Sequence, residues 1–306
     1  MKAIKIGVLT NKPKSVPGFD FASYYVKSCT GKICKPAKNL TNIISCFADN
    51  RTARKKPEWI PVSKLGNAIR TNRQHRFLWD YICPSVKEYQ SFLFDLINET
   101  LKNQIEGIHL DCIGFPGSEF CTCHRCIAEF KKSQLDWIDW RIKKITDFIQ
   151  QASKMVKDCG KIFSITLLPD PCFGKERFGE DFHLLEKYVD FFIVPIYDLY
   201  YSTTYWLETL AIDFSKQLDK PLFIELYAAN PGPEIKNLLA AMVAISNYVD
   251  GIILATHDDA KAKQIQENIL NNSVYRSFLS KSNCQPLIKI LDSWRSNDQK
   301  QISKKF

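Results

Sequence analysis

Long apolar runs are missing from this sequence. No uninterrupted stretch approaches the roughly 20 apolar residues that a helix needs to cross a bilayer, so we expect no membrane partner. The first six residues mix lysine with apolar side chains and lead straight into a predicted strand, a pattern that does not fit a secretory signal peptide. We therefore expect a cytoplasmic protein whose thiols are reduced.

Low-complexity linkers, internal repeats and concentrated charge are missing as well. The formal net charge is +9 over 306 residues, and lysine is spread along the chain. The dense basic stretches are short, at residues 51–56, 70–76 and 304–305, and solvated faces explain such runs. We do not expect a nucleic-acid partner; a steep salt dependence of binding would indicate one.

Histidine pairs at metal-ligand spacing are absent, but there are eleven cysteines. An odd number of cysteines in a chain of this length does not indicate a disulfide framework. Cys121, Cys123 and Cys126 form a C-x-C-x-x-C run whose spacing suits the thiolate ligands of zinc. A closed tetrahedral site needs a fourth ligand, for which the candidates are Cys83, Cys112 and His124. We favour Cys83, because it follows a predicted strand and the metal would then attach the cysteine loop to it. The expectation is a structural zinc and no organic cofactor; buried free thiols are the alternative.

The sequence does contain eight short apolar segments, most of them followed by a stretch with helical spacing. Several are almost entirely apolar, which is typical of strands buried on both faces of a parallel sheet. Eight alternations of strand and helix predict a single α/β domain, a (β/α)8 TIM barrel. The predicted strands span residues 4–10, 42–47, 77–82, 107–111, 163–169, 191–197, 222–228 and 251–256.

We assign residues 1–275 to this barrel. The polar and basic segment 49–76 is expected to be an elaborated loop after the second predicted strand. Residues 276–306 are expected to form a C-terminal extension with one short helix at residues 286–294.

Carboxyl side chains follow several predicted strands, at the end where the active sites of such barrels lie. Asp111 ends the fourth strand, Asp170 follows the fifth, Asp198 follows the sixth, and Glu225 lies in the seventh. Carboxyl groups around one rim suit glycosidic cleavage, in which one donates a proton and another acts as nucleophile or base. The alternative is that each caps a helix or accepts a loop hydrogen bond. Asp111 and Glu225 fit that alternative least well, because an unpaired carboxylate in an apolar strand is costly.

Aromatic and imidazole side chains accompany these carboxyl groups. Aromatic faces in a cleft stack on the apolar faces of sugars, and their polar tips meet hydroxyl groups. Packing of a long loop is an equally good explanation for the aromatic residues. The candidates for substrate binding are His109, Tyr197, Tyr200, Trp206, Tyr227 and His257.

Four segments resemble a known family. They are residues 107–111 with the following Phe115-Pro116, residues 81–85 with a Cys-Pro-Ser element, the cysteine run 120–126, and residues 137–141. Together they are similar to the corresponding segments of a TIM-barrel glycoside hydrolase-like family. The resemblance implies a barrel fold, an oligosaccharide or glycan substrate, and Asp111 as a catalytic carboxylate. The chain departs from the family pattern at Cys112, where the family has tyrosine, and at Gly114, where it has arginine.

The resulting hypothesis is a glycoside hydrolase. Asp111 is expected to be the nucleophile or stabilising carboxylate, kept ionised by a hydrogen bond from His109, which shares its face of the strand. Glu225 is expected to be the general acid/base, because its apolar neighbours favour the protonated form. Asp198 and Asp170 are the alternatives for the acid. The rival function is a non-catalytic barrel that binds a glycan or a protein, which the missing arginine favours.

Overall fold

The computed structural model describes residues 4–275 and residue 277. Its strands are β1 (Lys5–Thr10), β2 (Phe21–Lys27), β3 (Thr41–Ser45), β4 (Val62–Ser63), β5 (Gly66–Asn67), β6 (Gly107–Asp111), β7 (Ile162–Thr166), β8 (Phe191–Pro195), β9 (Leu222–Tyr227) and β10 (Gly251–Ala255). All but β4 and β5 close into one parallel barrel in chain order. The predicted (β/α)8 barrel is confirmed.

Helices follow most of the barrel strands. They are α1 (Asn50–Lys55), α2 (Lys87–Leu101), α3 (His124–Ser133), α4 (Trp137–Asp158), α5 (Gly174–Phe178), α6 (Phe182–Leu185), α7 (Tyr205–Gln217), α8 (Ile235–Ile245) and α9 (Asp259–Asn271). A short 3-10 helix, Pro57–Trp59, and the antiparallel pair β4–β5 lie between α1 and α2. No helix among the described residues is both long and apolar enough to cross a membrane.

The chain divides into two compact units. We call residues 25–191 the central unit and the described residues on either side of them, 4–24 and 192–275, the terminal unit. In the central unit β6 pairs with β3 and with β7, so that His109 lies opposite Ile43 on one side and Ser164 on the other. In the terminal unit β9 pairs with β8 and β10, with Glu225 opposite Pro195 and Ile253. These registers fix which side chains meet at the strand ends.

Burial on both faces explains why the strands are so apolar. Every residue of β3 and of β10 is buried, as expected for strands with neighbours on both faces of a parallel sheet. In the terminal unit Gly7 and Gly251 make room for two large side chains. A Cβ at Gly7 would lie 2.2 Å from the ring of Phe21, and one at Gly251 would lie 2.2 Å from the ring of Phe223. Those two rings pack edge to face with centroids 5.6 Å apart.

One predicted strand is wrong. Residues 77–82 form no barrel strand but only an isolated bridge between Ala48 and Tyr81, and the second barrel strand is β2. Its sequence, FASYYVK, contains a serine and ends in a lysine, so it is less uniformly apolar than a strand such as β10. The aromatic rings of 77–82 pack instead on the loop, where the centroids of Phe77 and Phe120 are 5.6 Å apart. The elaborated loop 49–76 therefore follows the third barrel strand, not the second.

The end of the chain is described only in part. The barrel helix α9 ends at Asn271, inside the predicted boundary at residue 275. The predicted helix at residues 286–294, with nearly all of the predicted extension 276–306, lies outside the described residues.

Candidate active site

Asp111 is the last residue of β6, and protein groups surround its half-buried carboxylate. The backbone N–H of Cys112 donates to Oδ1 at 2.7 Å, and the hydroxyl of Tyr25 donates to Oδ2 at 3.2 Å. The thiol of Cys29 lies 3.9 Å from Oδ2. Burial raises the pKa of the Asp111 carboxyl above its ordinary value, although these hydrogen bonds act in the opposite direction. The carboxylate is thus held in one orientation at the end of an apolar strand.

His109 is buried and does not donate directly to Asp111, so that sequence prediction is wrong. Its Nδ1 lies 2.9 Å from Ser164 Oγ and its Nε2 lies 2.7 Å from Thr166 Oγ1. Burial lowers the pKa of the His109 imidazole to about 3, which keeps the ring neutral. Thr166 also lowers the pKa of the Asp111 carboxyl, so His109 holds a hydroxyl group that favours the ionised form of Asp111. The prediction failed because the partner hydroxyls come from the neighbouring strand, whose register the sequence does not reveal.

Glu180 is a buried carboxyl group that the sequence analysis missed. It lies between α5 and α6, is 1% exposed, and accepts a hydrogen bond from the backbone N–H of Leu168 at 3.2 Å. Burial, with smaller contributions from the charges of Asp170 and Asp111, raises the pKa of Glu180 to about 8. The side chain is therefore protonated at neutral pH. It follows no strand, so reading the strand ends does not find it.

The side chain of Glu180 also explains the glycine at position 114. A Cβ on Gly114 would lie 2.9 Å from Glu180 Oε1 and 2.9 Å from the carbonyl oxygen of Phe178. An arginine at this position, as in the family that the sequence resembles, requires both groups to move. The Glu180 carboxyl group therefore fits in its position because residue 114 has no Cβ.

We predict that Glu180→Gln removes a pH dependence of stability. A carboxyl group whose folded pKa lies above its unfolded value destabilises the folded state as pH rises through that interval. The variant should therefore gain stability relative to wild type between pH 4.5 and about 8, by roughly 1.4 kcal/mol per pH unit at most. Urea unfolding at a series of pH values measures this difference. Glu176→Gln, an exposed neighbour, is the matched control, and parallel stability curves for Glu180→Gln and wild type would contradict the prediction.

Two further candidate carboxylates have partners in their own loops. Asp170 forms an ion pair with Arg177 through Oδ2, and its Oδ1 accepts from the backbone N–H of Phe173 at 2.9 Å. Asp198 is exposed, and its Oδ1 accepts from the backbone N–H of Tyr200 at 2.8 Å. These contacts match the structural alternative given for aspartates that follow strands.

Glu225 lies in β9 and is half-buried. The hydroxyl of Tyr197 donates to its Oε1. The neighbouring Tyr201 is buried; its hydroxyl donates to the carbonyl of Ile196 at 3.0 Å and accepts from the backbone N–H of Tyr227 at 2.7 Å. Tyr201 therefore ties the ends of β8 and β9 together within the terminal unit, so that Tyr197 is held beside Glu225.

Three of the four predicted substrate-binding aromatics are exposed, and the fourth, Tyr227, is half-buried. Tyr200 is 67% exposed and Trp206 is 68% exposed, so loop packing does not account for them. Tyr197 is 50% exposed and stands against Tyr227, with ring centroids 5.8 Å apart. His257 follows β10 with a left-handed backbone (φ 51°) and is exposed. Contiguous apolar patches mark binding sites, whereas single exposed rings are common on protein surfaces.

Four cysteines of the central unit bring their sulfurs together. Those of Cys83, Cys121, Cys123 and Cys126 all lie within 4.8 Å of one another. The sequence-predicted fourth ligand, Cys83, is thus beside the C-x-C-x-x-C run. A second group of possible ligand atoms, on Cys29, Asp111 and Cys112, also lies within 4.8 Å.

A sequence model described as glycosyl hydrolase-like 10 matches residues 41–236. No curated protein matches the chain at a significant level of similarity. Among solved structures, alpha-L-fucosidase isoenzyme 2 from Paenibacillus thiaminolyticus is similar with a TM-score of 0.57 and 13% identity, over 86% of this chain and 48% of the fucosidase. The chain thus spans about half the length of that enzyme.

Two other solved structures have a similar fold. The glycoside hydrolase domain of PelA from Pseudomonas aeruginosa aligns with a TM-score of 0.50 and 11% identity, over 83% of this chain and 96% of that domain. The spore cortex-lytic enzyme SleL from Bacillus megaterium aligns with a TM-score of 0.51 and 12% identity, over 88% of this chain and 75% of SleL. At these identities the likeness concerns the fold alone.

Proposed function

We propose that this chain, which belongs to the glycosyl hydrolase-like 10 family, cleaves O-glycosidic bonds with carboxylates at the C-terminal ends of its barrel strands. The observation that carries the proposal is the setting of Asp111. It ends an apolar strand, it is half-buried, and two donors hold its two oxygens. Asp49 accepts the same two kinds of donor, but it caps α1 and pairs with Lys27. Asp111 instead lies at the C-terminal end of a barrel strand, where the active sites of such barrels lie.

In this proposal Asp111 is the nucleophile or the base. Its two hydrogen bonds orient the oxygens and favour the ionised form, while burial keeps the carboxylate poorly solvated and therefore reactive. His109 is proposed to act indirectly: as a neutral ring it holds the hydroxyl of Thr166, which lowers the pKa of Asp111. Whether the anomeric configuration is retained or inverted follows from the stereochemistry of the first product, which proton NMR of a reacting mixture measures.

Glu225 is proposed as the general acid/base. A glycosidic oxygen is a poor leaving group until it is protonated, so the reaction needs a carboxyl group that gives up a proton in the transition state. The hydroxyl of Tyr197 fixes the orientation of the Glu225 carboxyl group. Asp198 and Asp170 are the less favoured acids, because a turn amide and an arginine already engage them.

The proposed substrate is an oligosaccharide or glycan. The exposed rings of Tyr200, Tyr205 and Trp206, in the segment that follows β8, offer flat apolar faces, and such faces stack on sugar rings. The similar solved structures include a fucosidase and a glycoside hydrolase domain, which agrees with a carbohydrate substrate.

We predict that Glu225→Gln separates substrates by their leaving group. The amide cannot donate a proton as an acid does, so cleavage of a natural glycan should fall by about 10²–10⁴-fold. Cleavage of an aryl glycoside with an acidic phenol as leaving group should fall much less, because that leaving group departs without protonation. Initial rates on both kinds of substrate give the comparison.

The matched control for this experiment is Glu234→Gln, which changes an exposed glutamate of the same unit. It should leave both rates unchanged. If Glu225→Gln lowers the rates on both kinds of substrate equally, Glu225 is not the general acid. If it lowers neither rate, Glu225 is not a catalytic residue.

A non-catalytic glycan-binding barrel is the second candidate function. Glu180 packs where the family pattern has an arginine, at Gly114, and this loss favours binding without cleavage. The two functions differ in what Asp111→Asn does. If wild type cleaves no glycan in a broad panel, yet binds one with an affinity that Asp111→Asn leaves unchanged and Trp206→Ala weakens, the binding function is correct.

A further inference from the structure

The four sulfurs of Cys83, Cys121, Cys123 and Cys126 have the spacing of a metal-binding tetrahedron. All lie within 4.8 Å of one another, with Cys83 Sγ 3.3 Å from Cys126 Sγ and 4.0 Å from Cys123 Sγ. Zinc–sulfur bonds of about 2.3 Å put the sulfurs of a tetrahedral site about 3.8 Å apart. The observed distances bracket that value, and all four cysteines are free thiols. We propose that these four cysteines bind one zinc ion.

The fold builds this site from two separate segments. Cys83 lies between β5 and α2, where its backbone N–H donates to the carbonyl of Trp59 at 2.8 Å. Cys121 and Cys123 precede α3, and Cys126 lies in the first turn of that helix. The metal therefore joins the loop after β3 to the loop after β6. These two loops also meet where the ring of Phe77 packs against Phe120 and where the backbone N–H of Thr122 donates to the carbonyl of Val62.

Hydrogen bonds to the sulfurs support a thiolate site. The backbone N–H of Val62 donates to Cys121 Sγ at 3.4 Å, and the Cys126 thiol donates to Ser85 Oγ at 3.4 Å. Once Cys126 is a thiolate, the Ser85 hydroxyl is placed to donate to it instead. Four thiolates around Zn²⁺ carry a net charge of −2, and N–H and O–H donors spread that charge. The guanidinium of Arg141, which interacts electrostatically with Cys121 and Cys126, offsets part of it. Binding converts four thiols to thiolates and releases their four protons to solvent.

The site is closed, so its role is structural. Three of the ligands are buried and Cys123 is half-buried, and four protein ligands leave no coordination position for water or substrate. A tetrahedral set of four sulfurs suits zinc or iron and excludes the hard cations magnesium and calcium. Zinc is favoured over iron because a site that only holds two loops together has no use for a redox-active ion, and zinc is redox-inert.

Metal analysis of the full-length chain, purified with reductant and without chelator, tests the proposal. Wild type should contain close to one zinc per chain, and Cys123→Ser, which changes the least buried ligand, should lose most of it. The matched control is Cys159→Ser, an exposed cysteine outside the cluster, which should keep its zinc. A wild-type zinc content below a tenth of an ion per chain, iron in place of zinc, or full zinc in Cys123→Ser would each overturn the proposal.

A second measurement covers the case in which the serine variant does not fold. Cobalt exchanged into wild-type protein should give the visible d–d bands and sulfur-to-metal charge-transfer bands of a tetrahedral thiolate site. An organomercurial should release zinc in step with the modification of four thiols. Cobalt spectra of an octahedral oxygen site, or full retention of zinc after the thiols have reacted with the organomercurial, would contradict the four-cysteine site.

Discussion

Asp111→Asn should lower kcat/KM for glycoside cleavage by about 10³-fold or more while leaving the fold and sugar binding intact. Asparagine has nearly the shape of aspartate, and its amide oxygen accepts the hydrogen bond that Cys112 donates to Oδ1 in the wild type. It carries no negative charge, so it neither attacks the anomeric carbon nor activates water. Reducing-sugar release from a panel of glycans measures the loss, and circular dichroism with thermal melting checks the fold.

The pH dependence of wild-type activity is an independent test of the role of the Asp111 carboxylate. If Asp111 must be ionised to act, activity falls as pH drops through its folded pKa. Burial raises that pKa, so the acid limb should lie at higher pH than for an exposed aspartate. Asp95→Asn, an exposed position on α2, is the matched control and should keep both the rate and the profile. Undiminished turnover in Asp111→Asn would rule out Asp111 as a catalytic residue.

Much of the barrel could be predicted from the sequence because most of its strands are buried on both faces. A segment such as Gly251–Ala255 is apolar throughout and can be recognised as a buried strand without knowing its partners. β2 was missed because it contains serine and tyrosine and ends in Lys27. A lysine at the end of a strand suggests that this end is exposed to solvent, unless the acidic residue that pairs with the lysine is known. Residues 77–82 were overpredicted for the opposite reason, since their aromatic rings fill a loop.

The candidate site was predictable only where it lies on one strand. Asp111 and Glu225 follow from reading strand ends, and Cys83 from its place beside the C-x-C-x-x-C run. The hydroxyl groups that hydrogen-bond His109 lie on the neighbouring strand β7. Glu180 and Gly114, which lie close together, are in two different loops. Such contacts depend on strand register and on the path of a loop, neither of which leaves a local pattern in the sequence.

Lys27→Met should destabilise the protein by about 3–5 kcal/mol. Lys27 is fully buried, and its ammonium group donates to the carbonyl of Ser45 at 2.7 Å and lies 3.2 Å from Asp49 Oδ2. Asp49 also accepts hydrogen bonds from Tyr89 and from Thr52. Methionine fills the same space but leaves the Asp49 carboxylate buried without its cation, and an uncompensated buried charge is the main cost. Urea unfolding near neutral pH measures the difference.

The pH dependence of this loss distinguishes a buried ion pair from a packing effect. Burial would raise the pKa of Asp49, but Lys27 and the hydrogen bonds from Thr52 and Tyr89 outweigh it and hold that pKa below its ordinary value. In wild type the pair stabilises the fold above the unfolded pKa of aspartate and is lost as pH falls through the folded pKa. In Lys27→Met the carboxyl group takes up a proton more readily, so the deficit should shrink in acid. Lys143→Met, which breaks the exposed pair with Asp147, should cost no more than about 1 kcal/mol, and a Lys27→Met deficit that stays constant with pH would show that the lost charge is not its cause.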